Sequence, residues 1–316
     1  EDLKEYKRWS NAFNSLSKYK KPQKIIKSTT LIPMAGKGSR FKKANYKISK
    51  PLIEISGSPM VIQSVKSLPK SENYEFVVLE KLFLNSELKN KFKIHFKNHK
   101  VSLLNKTPEG QCATCMKVID DIPPQNSLII SACDHGILFN EEEYLKIHND
   151  DNIDLIVWVT RGHPEALRNP EMFGWVEESE NKIKNISVKK PISNLLNEPI
   201  VIGTFTFKSV EIFKQCAHNL VKRNEKVNGE FYVDSCINDA LMLGYNCHIF
   251  NVDHYFSWGT PNELKTFEYW QSCFHKWKSH DYSWFKDLWR KDYDDSFLPN
   301  HLEEKNPKLP NSINES

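Results

Sequence analysis

Glycine is scarce, with 11 residues in 316, about half the ~7% typical of soluble proteins. Collagen-like repeats and glycine-rich linkers are excluded, and each glycine present marks a place where the backbone has reason to need one. Long apolar runs are missing too. The longest, 76–79, 128–132 and 153–159, suit buried strands and fall far short of the ~18–20 residues that cross a bilayer. The first residues carry no apolar core of a secretion signal. The chain also starts without methionine, so a fragment of a longer parent protein is expected. Seven cysteines, an odd number, scatter from Cys112 to Cys273. They point to reduced thiols and a cytoplasmic setting rather than a disulfide framework. Charge of one sign is not in excess: 44 basic and 40 acidic residues leave +4, too balanced to call for nucleic acid.

With 39% hydrophobic and 27% charged residues, the balance is that of a soluble globular protein. Residues 1–27, lysine-rich with Tyr6, Trp9, Phe13 and Tyr19, predict one amphipathic helix and a basic linker around 20–24. Strand patterns at 29–34, 75–79, 101–105, 127–131 and 153–159 alternate with helical patterns at 60–68, 84–91, 109–119 and 141–148. That alternation predicts a layered, mostly parallel, Rossmann-like α/β sheet. Later the pattern changes to a hairpin at 174–178 and 183–188, a strand at 201–207, helices at 208–222 and 233–243, and a strand at 247–252. Residues 261–289 read as a long aromatic-rich helix or helix pair whose rings make a packing face. The last 20 or so residues lack periodicity and are expected to be loose. The expected organisation is an N-terminal helix and linker (1–27), one α/β domain (28–265), C-terminal helices (266–296) and a tail (297–316). No internal repeat is visible.

The first strand of the domain ends in Ala35-Gly36-Lys37-Gly38-Ser39-Arg40. Small residues let backbone N–H groups approach a phosphate, and a cation adds charge. It is not a P-loop, because Gly38 follows Lys37 and no glycine stands five positions before Gly36. It is not a dinucleotide fingerprint, because Phe41 takes the third glycine position. What remains is G-x-G-x-R, followed ten residues later by Lys50-Pro51-Leu52. Between Lys37 and Lys50 six cations stand with no acidic residue. A polyanion site and a solvated lysine-rich loop both fit that run.

This joined pattern resembles the signature of the sugar-phosphate nucleotidyltransferases, or nucleotide-sugar pyrophosphorylases, which run A-G-x-G-(S/T)-R and then K-P-L. The resemblance continues in order to about residue 264, through Gly110-Gln111-Cys112-Ala113, Asp134, Phe173-Gly174, Lys190-Pro191, Gly203, Gly229-Glu230-Phe231-Tyr232 and Gly259-Thr260-Pro261. It implies the nucleotidyltransferase fold, a sheet related to the GT-A glycosyltransferases, with the terminal helices added outside it. It also implies an enzyme that couples an NTP to a sugar phosphate or another small phosphorylated head group and releases pyrophosphate. Relatives that activate phosphocholine with CTP keep the acceptor open, as the base remains open. Such products usually feed surface polysaccharide, capsule included, or lipid assembly. By the same resemblance, Ala35, Gly36, Lys37, Gly38 and Ser39 hold the triphosphate, Arg40 clamps its outer phosphates, and Lys50 faces the α-phosphate. Gly110 and Gln111 meet the base, and Gly174, Lys190 and Glu230 meet the acceptor. Asp134 binds Mg²⁺.

Two departures stand out. Ser257 occupies a position where the family often has a second metal-binding Asp; Asp253, upstream, is the best replacement. Lys189 stands where an acidic residue commonly precedes Lys-Pro. Plainer readings accompany these assignments: Asp134 as a helix cap, Gln111 as an exposed helix residue, Lys190 and Glu230 as surface charges. Other constellations are weaker. Cys112-x-x-Cys115 has no second pair to complete a zinc site. His163, His248 and His254 lack triad spacing, and His135 is a support for Asp134 or a polar loop residue. Two rival functions remain. A glycosyltransferase would need a D-x-D motif, for which only Asp292-Tyr293-Asp294 is available. A non-catalytic nucleotide-binding module is motivated by Ser257. The expected partners are an NTP and a small phosphorylated acceptor, without nucleic acid or a membrane span. The terminal helices suggest a homo-oligomer contact or a neighbouring domain.

Overall fold

A computed structural model describes residues 2–84, 86–192, 195–290 and 298–303. The strands, in chain order, are β1 (Ile25–Met34), β2 (Glu54–Ile55), β3 (Ser58–Pro59), β4 (Lys70–Leu79), β5 (His99–Leu104), β6 (Ser127–Ser131), β7 (His135–Leu138), β8 (Leu155–Thr160), β9 (Gly174–Ser179), β10 (Lys182–Val188), β11 (Ile200–Phe207), β12 (Cys247–Asn251) and β13 (His254–Ser257). The α-helices are α1 (Asp2–Lys18), α2 (Ser39–Lys43), α3 (Met60–Lys66), α4 (Glu80–Leu84), α5 (Leu88–His95), α6 (Gln111–Cys115), α7 (Glu141–His148), α8 (Pro164–Arg168), α9 (Val210–Lys222), α10 (Val233–Met242), α11 (Pro261–Lys276) and α12 (Asn300–Glu303).

Nine strands form one sheet in the order β5-β4-β1-β6-β11-β8-β12-β10-β9. Strands β5, β4, β1 and β6 are parallel neighbours, as are β8 and β12. Strand β11 runs antiparallel between β6 and β8, and the β9–β10 hairpin closes the far edge antiparallel to β12. The sheet is therefore mixed, not mostly parallel as its sequence pattern predicts. The reason lies in the connections: parallel neighbours need a crossover, usually helical. Strand β11 instead follows the hairpin through a loop and meets β9 antiparallel.

Alternate side chains of the central strands enter opposite cores. On β8, Leu155, Val157 and Val159 pack with α9 and α10, while Ile156 and Trp158 pack with α7. All six residues of β8 are buried, as expected of a strand covered on both faces. A third cluster joins the ends of the chain: Phe13 of α1 lies 5.5 Å from Phe267 and 4.7 Å from Tyr282. The aromatic segment does form a packing face. Its helix stops at Lys276, where Trp277 leaves helical geometry (ψ 100°). Part of the stretch expected to be loose is ordered in α12, where Leu302 is buried and His301 Nε2 pairs with Gln271 Oε1 at 2.8 Å. Residues 297 and 304–316 of that stretch, and Asp292-Tyr293-Asp294, lie outside the described residues.

Among the elements without a counterpart in the sequence reading, one bears on the site. Strands β7 and β13 pair antiparallel as a separate ribbon, His254 opposite Leu138 and Ser257 opposite His135. It carries the chain past the end of β6 and delivers Gly259 beside Asp134, whose carbonyl accepts from Trp258 N at 2.9 Å.

Candidate active site

Strand β1 ends with Ala35 buried and Gly36, Lys37, Ser39 and Arg40 exposed. Gly38 adopts φ +59°, and a side chain there would begin 3.4 Å from Lys50 Cβ. Glycine thus supplies the left-handed turn and leaves room for the lysine. After α2 the chain returns through a 3₁₀ turn at Lys50–Leu52, which lays the Lys50 ammonium 5.6 Å from the Phe41 ring centroid.

Lys50 Nζ donates to Asp134 Oδ2 and to the Gly259 carbonyl at 2.9 Å. Three motifs far apart in sequence therefore meet at one cation. The Lys50 and Asp134 side chains are only 19% and 24% exposed. Burial alone would lower the Lys50 pKa; the Asp134 carboxylate outweighs it and holds the lysine above its usual value. Burial alone would raise the Asp134 carboxyl. Lys50, helped by His135 and Arg40, overrides that and holds it low. His135 itself is buried, with Nε2 3.1 Å from Thr204 Oγ1, and burial pushes it down to about 4. It is a neutral structural histidine at neutral pH.

The Gly110-Gln111 loop and the Glu230 loop are stitched together by backbone. Cys112 N donates to Phe231 O at 3.0 Å and Phe231 N to Glu109 O at 2.8 Å. A side chain on Gly110 (φ +103°) would begin 2.6 Å from Phe231 O, so the joint requires glycine. Gly174 opens β9, and its Cβ would fall 2.5 Å from Asp234 Oδ2. Burial pushes Asp234 up to about 6. Lys190 is exposed; its neighbour Lys189, at φ 57°, turns inward instead. Lys189 Nζ lies 5.4 Å from the Tyr232 ring centroid and donates to Met172 O at 3.4 Å. Burial and the nearby Arg40 lower its pKa. Arg40 reaches the same region, with Nη2 3.8 Å from Met172 Sδ. Lys189, Tyr232 and Asp234 escaped the sequence reading as site residues. The one signal was that Lys189 replaces an acidic residue.

The two carboxylates expected to hold a metal are not brought together. Asp134 lies at the Trp258 end of the β7–β13 ribbon, whereas Asp253 N donates to Leu138 O at its other end. At ~3.3 Å per residue the separation is about 16 Å. Asp253 lines a cavity with Arg8 and Arg161, under α1. Near Asp134 there is another carboxylate, Glu263 of α11. Asp134 Oδ2 and Glu263 Oε2 each lie 3.3 Å from the point where a Gly259 Cβ would stand, with Ser257 Oγ at 3.6 Å. Burial raises Glu263, against hydrogen bonds from Ser257 and Thr260. Among the described residues no group of three or more His, Cys, Asp or Glu is placed to hold a metal. A hard divalent cation needs no more than one or two carboxylates where substrate phosphates complete its shell. The oxygen donors here, in a space that glycine keeps open and an ammonium already enters, fit such an ion. The Cys112-x-x-Cys115 pair is buried and all seven cysteines are free; Cys112 Sγ meets Cys236 Sγ at 3.5 Å rather than Cys115.

Among solved structures, the nucleoside-diphosphate-sugar pyrophosphorylase from Vibrio cholerae RC9 is similar at a TM-score of 0.61 and 20% identity, over 75% of this chain and 98% of that one. The inositol-1-phosphate CTP transferase from T. maritima is similar at 0.60 and 16% identity, over 78% and 95%. A putative glucose-1-phosphate thymidylyltransferase from Bacillus anthracis, in complex with a sucrose, follows at 0.58 and 14%, over 77% and 94%. At these identities the likeness is one of fold. No curated protein sequence matches the chain. The model of the nucleotidyl transferase family matches residues 29–252, a span that holds the glycine loop, Lys50, Gly110 and Asp134. The chain belongs to the nucleotidyl transferase family and is a nucleotidyltransferase enzyme.

Proposed function

We propose that this enzyme transfers a nucleotidyl group from an NTP to a sugar phosphate, or to another small phosphorylated head group, with release of pyrophosphate. The observation that carries the reading is the meeting of Lys50, Asp134 and the Gly259 carbonyl beside the Gly36–Gly38 loop. An acceptor phosphate oxygen attacks the α-phosphorus. The bond from that phosphorus to the α,β-bridging oxygen breaks, and its electron pair leaves with pyrophosphate. Both reactants are anions, so the work is neutralising charge and holding the attack in line. Loop amides at Gly36–Ser39 and the Arg40 guanidinium hold the outer phosphates, for which a planar fork is suited. Lys50 meets the α-phosphate. Gln111 reads a base edge. Gly174, Glu230 and Lys190 border the acceptor, with Lys189 turned inward beside them. Asp134 would hold Mg²⁺, which when bound would neutralise phosphate charge. Products of this type feed surface polysaccharide or lipid precursor assembly.

The test is pyrophosphate release from each of the common NTPs with a panel of sugar phosphates and phosphorylated amino-alcohols. The expected result is one productive pair, abolished by Lys50→Ala. No release from any pair, with Lys50→Ala indistinguishable from wild type, refutes the reading.

A further inference from the structure

We infer that Glu263 supplies the second carboxylate of the divalent-cation seat, with Asp134 the first. The inference rests on the function proposed above, and its support is geometric. Both carboxylates approach one point: a Cβ on Gly259 would stand 3.3 Å from an oxygen of each. The space between them is thus kept open by the lack of a side chain. The Gly259 carbonyl accepts from Lys50 Nζ at 2.9 Å while that ammonium sits on Asp134. The free protein therefore seats a cation against Asp134 with its own lysine. Asp253, the carboxylate the sequence suggests, is on the opposite end of the β7–β13 ribbon. Ser257 Oγ lies 3.6 Å from the same Gly259 point, so a carboxylate grafted there would enter the same space.

Glu263 also has a plainer duty. Thr260 caps α11, its hydroxyl accepting from Glu263 N at 3.2 Å, and the T-x-x-E spacing is that of a capping box. Glutamine serves a capping box as well as glutamate, so Glu263→Gln keeps the cap and removes the charge. The two duties are therefore separable.

The experiment is Mn²⁺ titration of the full chain without nucleotide, reading the free Mn²⁺ signal by electron paramagnetic resonance. Urea unfolding of each variant runs alongside. Wild type is expected to bind one Mn²⁺. Glu263→Gln should weaken binding by about tenfold or more while unfolding like wild type, and Asp253→Asn should change nothing. Ser257→Asp added to Glu263→Gln should restore affinity. The inference is overturned if Glu263→Gln binds Mn²⁺ within about twofold of wild type, if Asp253→Asn produces the loss instead, or if Ser257→Asp fails to restore affinity. Pyrophosphate release on the same wild-type preparation separates the two readings. Release with Mn²⁺ and an unaffected Glu263→Gln, or release from a free chain that binds no Mn²⁺, removes the Glu263 inference alone, whereas no Mn²⁺ binding and no release removes both.

Discussion

Replacing Lys50 by methionine tests whether the Lys50–Asp134 pair is a strong coupling or a chance contact. Two unit charges at a generic contact distance of about 4 Å attract by about 4 kcal/mol at an effective dielectric near 20. Desolvation offsets much of this, and side chains 19% and 24% exposed retain some solvent screening. Removing one partner of a fully buried pair costs about 3–5 kcal/mol, because the other charge is left stranded. For this partly buried pair about 2–3 kcal/mol is expected for Lys50→Met. Asp134→Asn should cost less, because the ammonium keeps the Gly259 carbonyl. The double variant should be more stable than the two losses added together predict, by about 1.5 kcal/mol or more. The pH dependence follows from the signs. Asp134 is held low, so its contribution is present above the unfolded carboxylate value near ~3.9 and is lost as pH falls through the folded value. Lys50 is held high, so its contribution is complete below ~10.4 and is lost as pH rises through the folded value. Without the lysine, burial holds the Asp134 carboxyl up, so the cost of Lys50→Met should shrink as pH falls through that raised value in the variant and go on shrinking down to the low folded value of wild type. Urea unfolding of the four proteins measures all of this. Strict additivity of the two substitutions, or a Lys50→Met cost unchanged at pH 3, would refute the reasoning.

Three further outcomes are expected. A Gly136 Cβ would stand 2.6 Å from the Trp289 ring and 2.8 Å from Trp258, so Gly136→Ala should destabilise by about 1–3 kcal/mol. In a Trp289→Leu background that cost should drop by about half or more, as read from denaturant midpoints. His135 is pushed down to about 4 by burial, so below its unfolded value near ~6.5 the unfolded chain takes up a proton that the folded chain refuses. The His135 contribution to stability should be constant above that pH and fall by about 3 kcal/mol on going down to pH 4, read as the difference in urea titrations between wild type and His135→Asn. On the proposed function, Arg40→Ala should raise the KM for the NTP by about tenfold or more, and Lys189→Ala should raise the KM for the phosphorylated acceptor. Steady-state pyrophosphate release separates the two, and a swap of these effects would reverse the assigned sides of the cleft.

Local chemistry made part of this site legible before any fold was known. The glycines at 36 and 38, with Arg40 and then Lys50-Pro51-Leu52, read as a candidate phosphate loop from residue type and spacing alone. Gly38 takes φ +59° and Gly110 φ +103°, conformations that few residues other than glycine tolerate. The β–α rhythm before 160 likewise predicted the parallel half of the sheet. What stayed hidden is set by pairings between distant segments. The β7–β13 ribbon joins four residues to four others more than a hundred positions away, and neither piece is long enough to show a period of its own. That ribbon decides which carboxylate faces Asp134. In sequence, Asp253 is the nearer acidic neighbour of the Ser257 departure; in space, the strand carries Asp253 to the far end. The helix that begins after Gly259 brings back Glu263, whose spacing from Thr260 reads in the sequence only as a helix cap. The inward turn of Lys189 was hidden for a related reason. Two adjacent lysines are interchangeable in a sequence, and only the left-handed backbone at 189 decides which ammonium enters the cleft. On the proposed assignment, the departures from the family pattern, Ser257 and Lys189, mark where the site would differ, and the side chains that would answer them are placed by the fold.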